Sequence, residues 1–358
     1  MKMEGKKWDI LFLSLYAAAM LAIGVLVMVI DPYFHYHAPL KGLSYSLENV
    51  FYINGGVSRH FEYNAMITGT SMTRDFKTAE ADRLFGRDFV RITYHGEGLK
   101  RISDNLKTAI RANPDLKFVI WGVDTMWFIA DENWQGYDEY PDYLFDDIWW
   151  NDVNYLYNKE IFWKDVIPEI IRTLKQEPAD RFDDYVAGNY SGGKEEVLKN
   201  YERPPEEEKE TGIEETERVF ATMERSLEQN VLSVVERNPD VTFYIFFPPY
   251  SICWWDSLDR NGTDVLMRRI DMEQFAIERL IEYDNIRLFS FFNNFELICN
   301  LENYVDEGHY TGEVSSQILT WMKDGEYELT EENYRRYIED IREFYGNYDY
   351  DSIFKDEM

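Results

Sequence analysis

Cysteine is scarce: Cys253 and Cys299 are the only two in 358 residues. Two thiols make no disulfide framework, although they can pair in an oxidising compartment, and the sequence leaves open whether they meet. Positive charge is also in short supply. Lysine and arginine number 37 against 67 acidic residues, for a net charge of −30. Such a field repels nucleic acid and anionic lipid, so neither is expected as a partner of the body of the protein. The sequence holds no glycine-rich phosphate loop and no Cys/His cluster with metal-site spacing. Neither a metal nor an organic cofactor is therefore expected. His35 and His37 have no third ligand nearby and read as polar groups at an interface. There is no internal repeat, and no spacing singles out the carboxylate pair of a glycosidase.

What the chain does have begins at its N-terminus. The run Ile10 to Ile30 carries no charge and is long enough to cross a bilayer as a helix. Lys2, Lys6 and Lys7 precede it, Asp31 follows it, and acidic residues dominate beyond. The positive-inside tendency then keeps the N-terminus cytoplasmic and exports the rest. A cleaved signal peptide is the rival reading. Its apolar core is usually shorter and ends in small residues, whereas this run ends Val-Met-Val-Ile-Asp-Pro. The expectation is an uncleaved, single-pass anchor at the cell membrane with an extracytoplasmic body.

Beyond the anchor, residues 32–63 read as a juxtamembrane segment, and an alternation of strands and helices follows. Apolar, β-branched or aromatic runs at Ala65–Thr68, Phe89–Thr93, Lys117–Gly122, Val241–Phe247 and Ile286–Phe289 predict five strands. Helical spacing between them, such as Leu99, Ile102, Leu106, Ala109 and Ile110, predicts a mostly parallel sheet covered on both faces. One crossover is abnormal, with roughly 120 residues between the third and fourth strands where a dozen or more suffice. The expected organisation is an anchor at 1–31, an α/β domain at 64–124 and 213–322, an aromatic-rich insertion at 125–212, and a helical extension at 323–358. The second part of the insertion, with Gly192-Gly193, Pro204-Pro205 and three consecutive glutamates from Glu206, reads as an exposed loop.

Two short motifs carry chemistry. Gly69-Thr70-Ser71 sits where the first strand hands over to a helix, beyond a strand's carboxyl end, where open α/β sheets bind ligands. A helix N-terminus there would offer N–H groups and a positive dipole end to an oxyanion. The competing reading is that Ser71 or Thr73 merely caps that helix. Asp306 and His309, in Asp306-Glu307-Gly308-His309, follow the last strand. Together with Ser71 they supply a nucleophile, a base and an orienting acid, the set needed for acyl transfer through a serine ester. Here the competing reading is a capped turn with a surface histidine. Tyr250 and Ser251, just after Pro248-Pro249, are candidate pocket residues, with a plain loop as the competing reading. The aromatics from Trp127 through Trp134, Tyr137, Trp149 and Trp150 to Tyr157 can stack on sugar rings, cover the site, or simply pack the insertion.

Ser71 in Gly-Thr-Ser-Met, Gly96 in Tyr94-His95-Gly96-Glu97-Gly98, Asp124 in Trp121-Gly122-Val123-Asp124, and Asp306 with His309 resemble, in order, the four blocks of the SGNH/GDSL hydrolase superfamily. The resemblance spans about Ala65 to Trp321, the insertion excepted. It implies a flavodoxin-like three-layer α/β/α fold with five strands in the order 2-1-3-4-5, and a catalytic Ser71–His309–Asp306 set. It also implies oxyanion donors on the backbone of Ser71 and Gly96. Two positions depart from the pattern. Thr70 stands where an acidic residue is usual, and Asp124 stands where an asparagine normally donates to the oxyanion. An ionised carboxylate cannot donate, so Asp124 is protonated, that donor is missing, or a different residue occupies the block position. With its anchor and exported body the chain further resembles the DltD and alginate-acetylation branch. That resemblance implies an esterase or O-acyltransferase acting on an acylated carbohydrate or envelope polymer, alongside a membrane-bound O-acyltransferase. The alternative is a non-catalytic scaffold of the same fold that binds polysaccharide within such a complex.

Overall fold

The computed structural model describes residues 2–137, 139–146, 148–184, 192–206 and 213–357. The chain divides into two compact units: 1–62 with 139–185, and 63–138 with 186–358. The stretch read as one insertion at 125–212 is thus shared between them, and the juxtamembrane segment belongs with its middle part.

The first unit starts with helix α1, Lys2–Ile30. Its Lys6–Ile30 portion is long and apolar enough to cross a membrane. Asp31 ends it in the left-handed region at φ 47°, a conformation that Asp tolerates better than most residues. The fully buried Asp31 carboxylate accepts from the N–H groups of His35 (2.9 Å), Tyr36 (2.8 Å) and His37 (3.1 Å), and from the Tyr155 hydroxyl (2.9 Å). A buried carboxylate with four donors is well compensated for leaving water, so the helix exit is tied down firmly. His35, expected at an interface, pairs its Nε2 with Asp152 at 3.1 Å. Helix α2, Val50–His60, and the helical stretches Val153–Leu156, Lys159–Ile161, Phe162–Val166 and Ile167–Leu174 also belong to the unit.

The second unit holds one six-stranded, mostly parallel sheet: β1 Ala65–Thr70, β2 Phe89–Tyr94, β3 Phe118–Gly122, β4 Thr242–Phe247, β5 Ile286–Ser290 and β6 Glu328–Leu329. The spatial order is β2-β1-β3-β4-β5-β6, parallel except for β6, which pairs with β5 antiparallel. The sheet therefore has six strands rather than five. At two residues, β6 is too short to leave a periodic signal. β1, β2 and β3 are buried along their whole length, as expected of strands covered on both faces. Helix α3, Thr78–Phe85, joins β1 to β2, and α4, Leu99–Ala112, joins β2 to β3.

One further expectation changes. The stretch read as an exposed loop contains a helix, Lys194–Asn200, that buries Val197, and Arg203 beyond it pairs with the buried Asp256 at 2.8 Å. Residues 185–191 and 207–212 of that stretch lie outside those described. Cys253 and Cys299 are both free thiols. The C-terminal helix Tyr334–Asn347 packs against the sheet unit, with Tyr345 stacked on Trp255 at a centroid distance of 3.8 Å and the Tyr337 hydroxyl bonded to buried Glu273.

Candidate active site

Near their carboxyl ends β1 and β3 pair Gly69 with Gly122 in register. A Cβ on Gly69 would lie 2.7 Å from Thr73 Cγ2, and one on Gly122 would lie 2.6 Å from the same atom. Glycine at both positions is what lets the chain after β1 fold back onto the sheet end. It does so as a short 3-10 turn, Ser71–Thr73, and α3 begins only at Thr78. The expected α-helix N-terminus at Ser71 is therefore absent. Capping falls to Thr70, whose Oγ1 accepts from Met72 N at 3.3 Å, while the Thr73 hydroxyl donates to the Thr70 carbonyl at 2.9 Å. Ser71 is left with another partner. Its Oγ lies 2.8 Å from His309 Nε2.

His309 is presented by a narrow reverse loop closed by an antiparallel bridge between Tyr304 and Tyr310. Three bonds hold that loop in place. The Tyr310 hydroxyl donates to the Met72 carbonyl at 2.5 Å, and Ser251 donates to the Glu307 carbonyl from both its hydroxyl (2.7 Å) and its N–H (3.2 Å). The loop is thus fastened to the nucleophile turn on one side and to the chain after β4 on the other. Asp306 serves two purposes. Its Oδ1 accepts from Gly308 N at 2.8 Å and His309 N at 2.6 Å, while Oδ2 sits 2.8 Å from His309 Nδ1. The capped turn considered above is present, and the same carboxylate orients the imidazole.

Electrostatics suit a base at His309. Its pKa is raised above the ordinary histidine value, chiefly by the hydrogen bond to Asp306, against burial and the nearby Arg74. Burial alone would raise the pKa of Asp306; the hydrogen bond and charge of His309, with the two backbone N–H groups, outweigh it and lower that pKa. A serine hydroxyl beside a neutral imidazole that is itself steadied by a carboxylate can lose its proton as it attacks a carbonyl carbon.

Gly96 lies just after β2 in the left-handed region, φ +66°, and a Cβ there would be 3.3 Å from the Tyr137 hydroxyl. Tyr137 therefore lies over the Gly96 turn. Trp134 packs on Gly98, leaving 2.7 Å to an added Cβ, and stacks on Trp127 at 4.5 Å. These three members of the aromatic stretch belong to the sheet unit, whereas Tyr140 to Tyr157 belong to the other.

Asp124 is the unusual member. It is 3 % exposed and accepts three hydrogen bonds: from Thr70 Oγ1 at 3.1 Å, Met126 N at 3.2 Å, and the Tyr250 hydroxyl. Burial pushes its pKa up to about 6 despite the bonds from Met126 and Thr70. Near neutral pH it is an acceptor that holds Thr70 and Tyr250. Tyr250 is buried, and its ring lies 3.8 Å from the position of a Cβ on Gly308, so it bridges Asp124 and the His309 loop. All six sequence candidates, Ser71, Gly96, Asp124, Tyr250, Asp306 and His309, lie in the sheet unit. Direct bonds join Ser71, His309 and Asp306 in one group and Asp124 and Tyr250 in another, with Thr70 as the residue between them.

Three residues near the site escaped the sequence reading. His95, in the same block as Gly96, has its pKa pushed down to about 4 by burial, with Arg74 and His309 adding to the effect. Arg74, three residues after Ser71, pairs with Asp75 at 3.3 Å. Arg269, on the helix Thr263–Leu280, is 7 % exposed and carries an Nη2 without a hydrogen-bond partner. Burial lowers its pKa to about 10, partly offset by Glu273 and Asp124. Position next to a motif residue could have flagged His95 and Arg74; nothing local distinguishes Arg269 from a surface arginine. Among the described residues no group of three or more His, Cys, Asp or Glu could hold a metal ion.

Comparison with protein-family models, curated proteins and solved structures finds no match for this chain.

Proposed function

We propose that the chain is a membrane-anchored serine esterase or O-acyltransferase of SGNH type, with its body on the extracytoplasmic side. The observation that carries this reading is the unbroken relay Ser71 Oγ–His309 Nε2–His309 Nδ1–Asp306 Oδ2, with a 2.8 Å contact at each junction. In this reading the first five strands correspond to the flavodoxin-like sheet, and β6 is an addition at its edge. Ser71 Oγ attacks an ester carbonyl while His309 takes its proton, and Asp306 stabilises the imidazolium. His309 then returns the proton to the departing alcohol, leaving an acyl ester on Ser71. Water or a carbohydrate hydroxyl, deprotonated by His309, accepts the acyl group and frees the serine. The backbone N–H groups of Ser71 and Gly96 are the proposed oxyanion donors. The ligand is an acylated carbohydrate or envelope polymer, with a membrane-bound O-acyltransferase as the proposed partner. A fluorophosphonate probe is expected to label the wild type and spare Ser71→Ala. A correctly folded wild type that stays unlabelled would remove the enzymatic reading.

One observation favours a second reading. Asp124 accepts from three groups where the superfamily pattern has a donor, and loss of one such donor typically costs about 10² to 10³ in rate. A non-catalytic scaffold that binds polysaccharide would tolerate that change. It requires Ser71→Ala to complement a deletion fully, whereas the enzyme reading requires that variant to fail.

A further inference from the structure

The first unit carries an exposed apolar surface that the proposed chemistry does not use. Trp149 is 77 % exposed, Trp150 64 %, Trp163 66 % and Leu174 77 %, with Ile148, Val153 and Ile171 also open. Within the helix Ile167–Leu174, Ile167, Ile171 and Leu174 recur at steps of four and three along one face, while Glu169 points into the unit and is buried. That is an amphipathic pattern with its apolar stripe outward. Large apolar side chains left this open within one short segment mark a candidate interaction or membrane surface.

The depth of α1 shows what lies against it. Gly24, Val27 and Ile30, spaced by three, are buried on the body side of α1, whereas Val25, Met28 and Val29 remain exposed. At Gly24 an added Cβ would lie 3.0 Å from the Tyr157 hydroxyl, so Tyr157 touches the helix six residues before its end. Six residues of α-helix rise about 9 Å. The Lys6–Ile30 span is about 37 Å long against a hydrocarbon core of about 30 Å. Even if all of that excess projected at the exit, Gly24 would sit about 2 Å below the hydrocarbon boundary. The bonds to Asp31 hold the first unit against this end of α1.

We infer that segment 148–174 of the first unit is itself embedded in the outer bilayer interface beside the span, with Trp149, Trp150, Trp163, Ile171 and Leu174 inserted among the lipids. This rests on α1 crossing the membrane. Tryptophan favours the headgroup level, and lysines such as Lys159 and Lys164 on the same segment can extend to the phosphates from apolar stems. Apolar area drives the insertion, so a strongly acidic protein needs no anionic lipid for it. The first unit is then doubly held, by a span and by an interfacial foot.

The test uses the full chain in nanodiscs of zwitterionic lipid. An environment-sensitive fluorophore is placed on Trp163→Cys, Ile171→Cys or Leu174→Cys, with Leu15→Cys as the span control and Arg336→Cys as the control on the body. Wild type labelled in parallel corrects for Cys253 and Cys299. Blue-shifted emission, mostly quenched by doxyl lipid, is expected at 163, 171, 174 and 15 but not at 336. Quenching at 15 with water-like emission at 163, 171 and 174 overturns the inference and leaves the span intact. No quenching at 15 removes the span, and the inference with it. Shielding of the three sites in native membranes but not in pure lipid assigns the face to a protein partner and also overturns the bilayer as its occupant. As a second measurement, quenching of native tryptophan fluorescence by brominated lipid should drop when Trp149, Trp150 and Trp163 are replaced together by serine. Unchanged quenching in that variant counts against the inference.

Discussion

Replacing Asp306 by asparagine isolates the part of the relay that the geometry specifies most tightly. Asp306 Oδ1 accepts two backbone N–H groups, at 2.8 and 2.6 Å, and an asparagine oxygen can keep both. The other oxygen, 2.8 Å from His309 Nδ1, becomes an NH₂ group that can only donate. His309 must then either give up this bond or present Nδ1 as an acceptor, which moves the ring proton to Nε2. A proton on Nε2 faces Ser71 Oγ and blocks its role as base. The turn should therefore survive while the rate falls by about 10³ to 10⁴, equivalent to about 4 to 5.5 kcal/mol in the barrier. The acid limb of the pH profile should move as well. In the wild type the Asp306 hydrogen bond holds the His309 pKa above its ordinary value, so activity is expected to fall as pH drops through a point above that value. Without the carboxylate the limb shifts to lower pH. The assay is kcat/KM for an activated acetyl ester across pH, with the rate of fluorophosphonate labelling as a second readout and thermal unfolding as the check on folding. A folded Asp306→Asn protein with wild-type rate and an unmoved acid limb would refute the assigned role of Asp306.

Two other outcomes follow from the buried group around Asp124. Tyr250→Phe removes the hydroxyl donated to Asp124 Oδ1 and leaves a buried carboxylate short of a donor, which should cost about 1 to 3 kcal/mol in urea unfolding; an unchanged midpoint would mean that the bond contributes nothing. Burial raises the Asp124 pKa from 3.8 to about 6. For an acid raised in the folded state, the associated stability is fully present below the unfolded value and is lost as pH rises through the folded one. Wild type should therefore lose about 2.5 kcal/mol relative to Asp124→Asn between pH 3.8 and pH 7; parallel stability profiles for the two proteins would exclude a raised pKa.

The sequence by itself determined much about this protein, and the reason is periodicity. A charge-free run from Ile10 to Ile30 declares a helix long and apolar enough to cross a membrane. Five strands were legible as apolar runs because both of their faces are covered, whereas Ser71, Asp306 and His309 stood out as candidates through residue type and motif, a Gly-Thr-Ser turn after the first strand and an Asp-x-x-His pair late in the chain. The sixth strand was not, since two residues carry no period. Only tertiary structure could decide that Ser71 starts a 3-10 turn instead of capping a helix, because that depends on how closely Thr73 approaches Gly69 and Gly122 across two strands. It also made Asp124 an acceptor for Tyr250, 126 residues away, and divided the aromatic stretch between two units. Contacts so distant along the chain leave no local pattern. They arise when packing brings buried donors and acceptors together and each must find a partner.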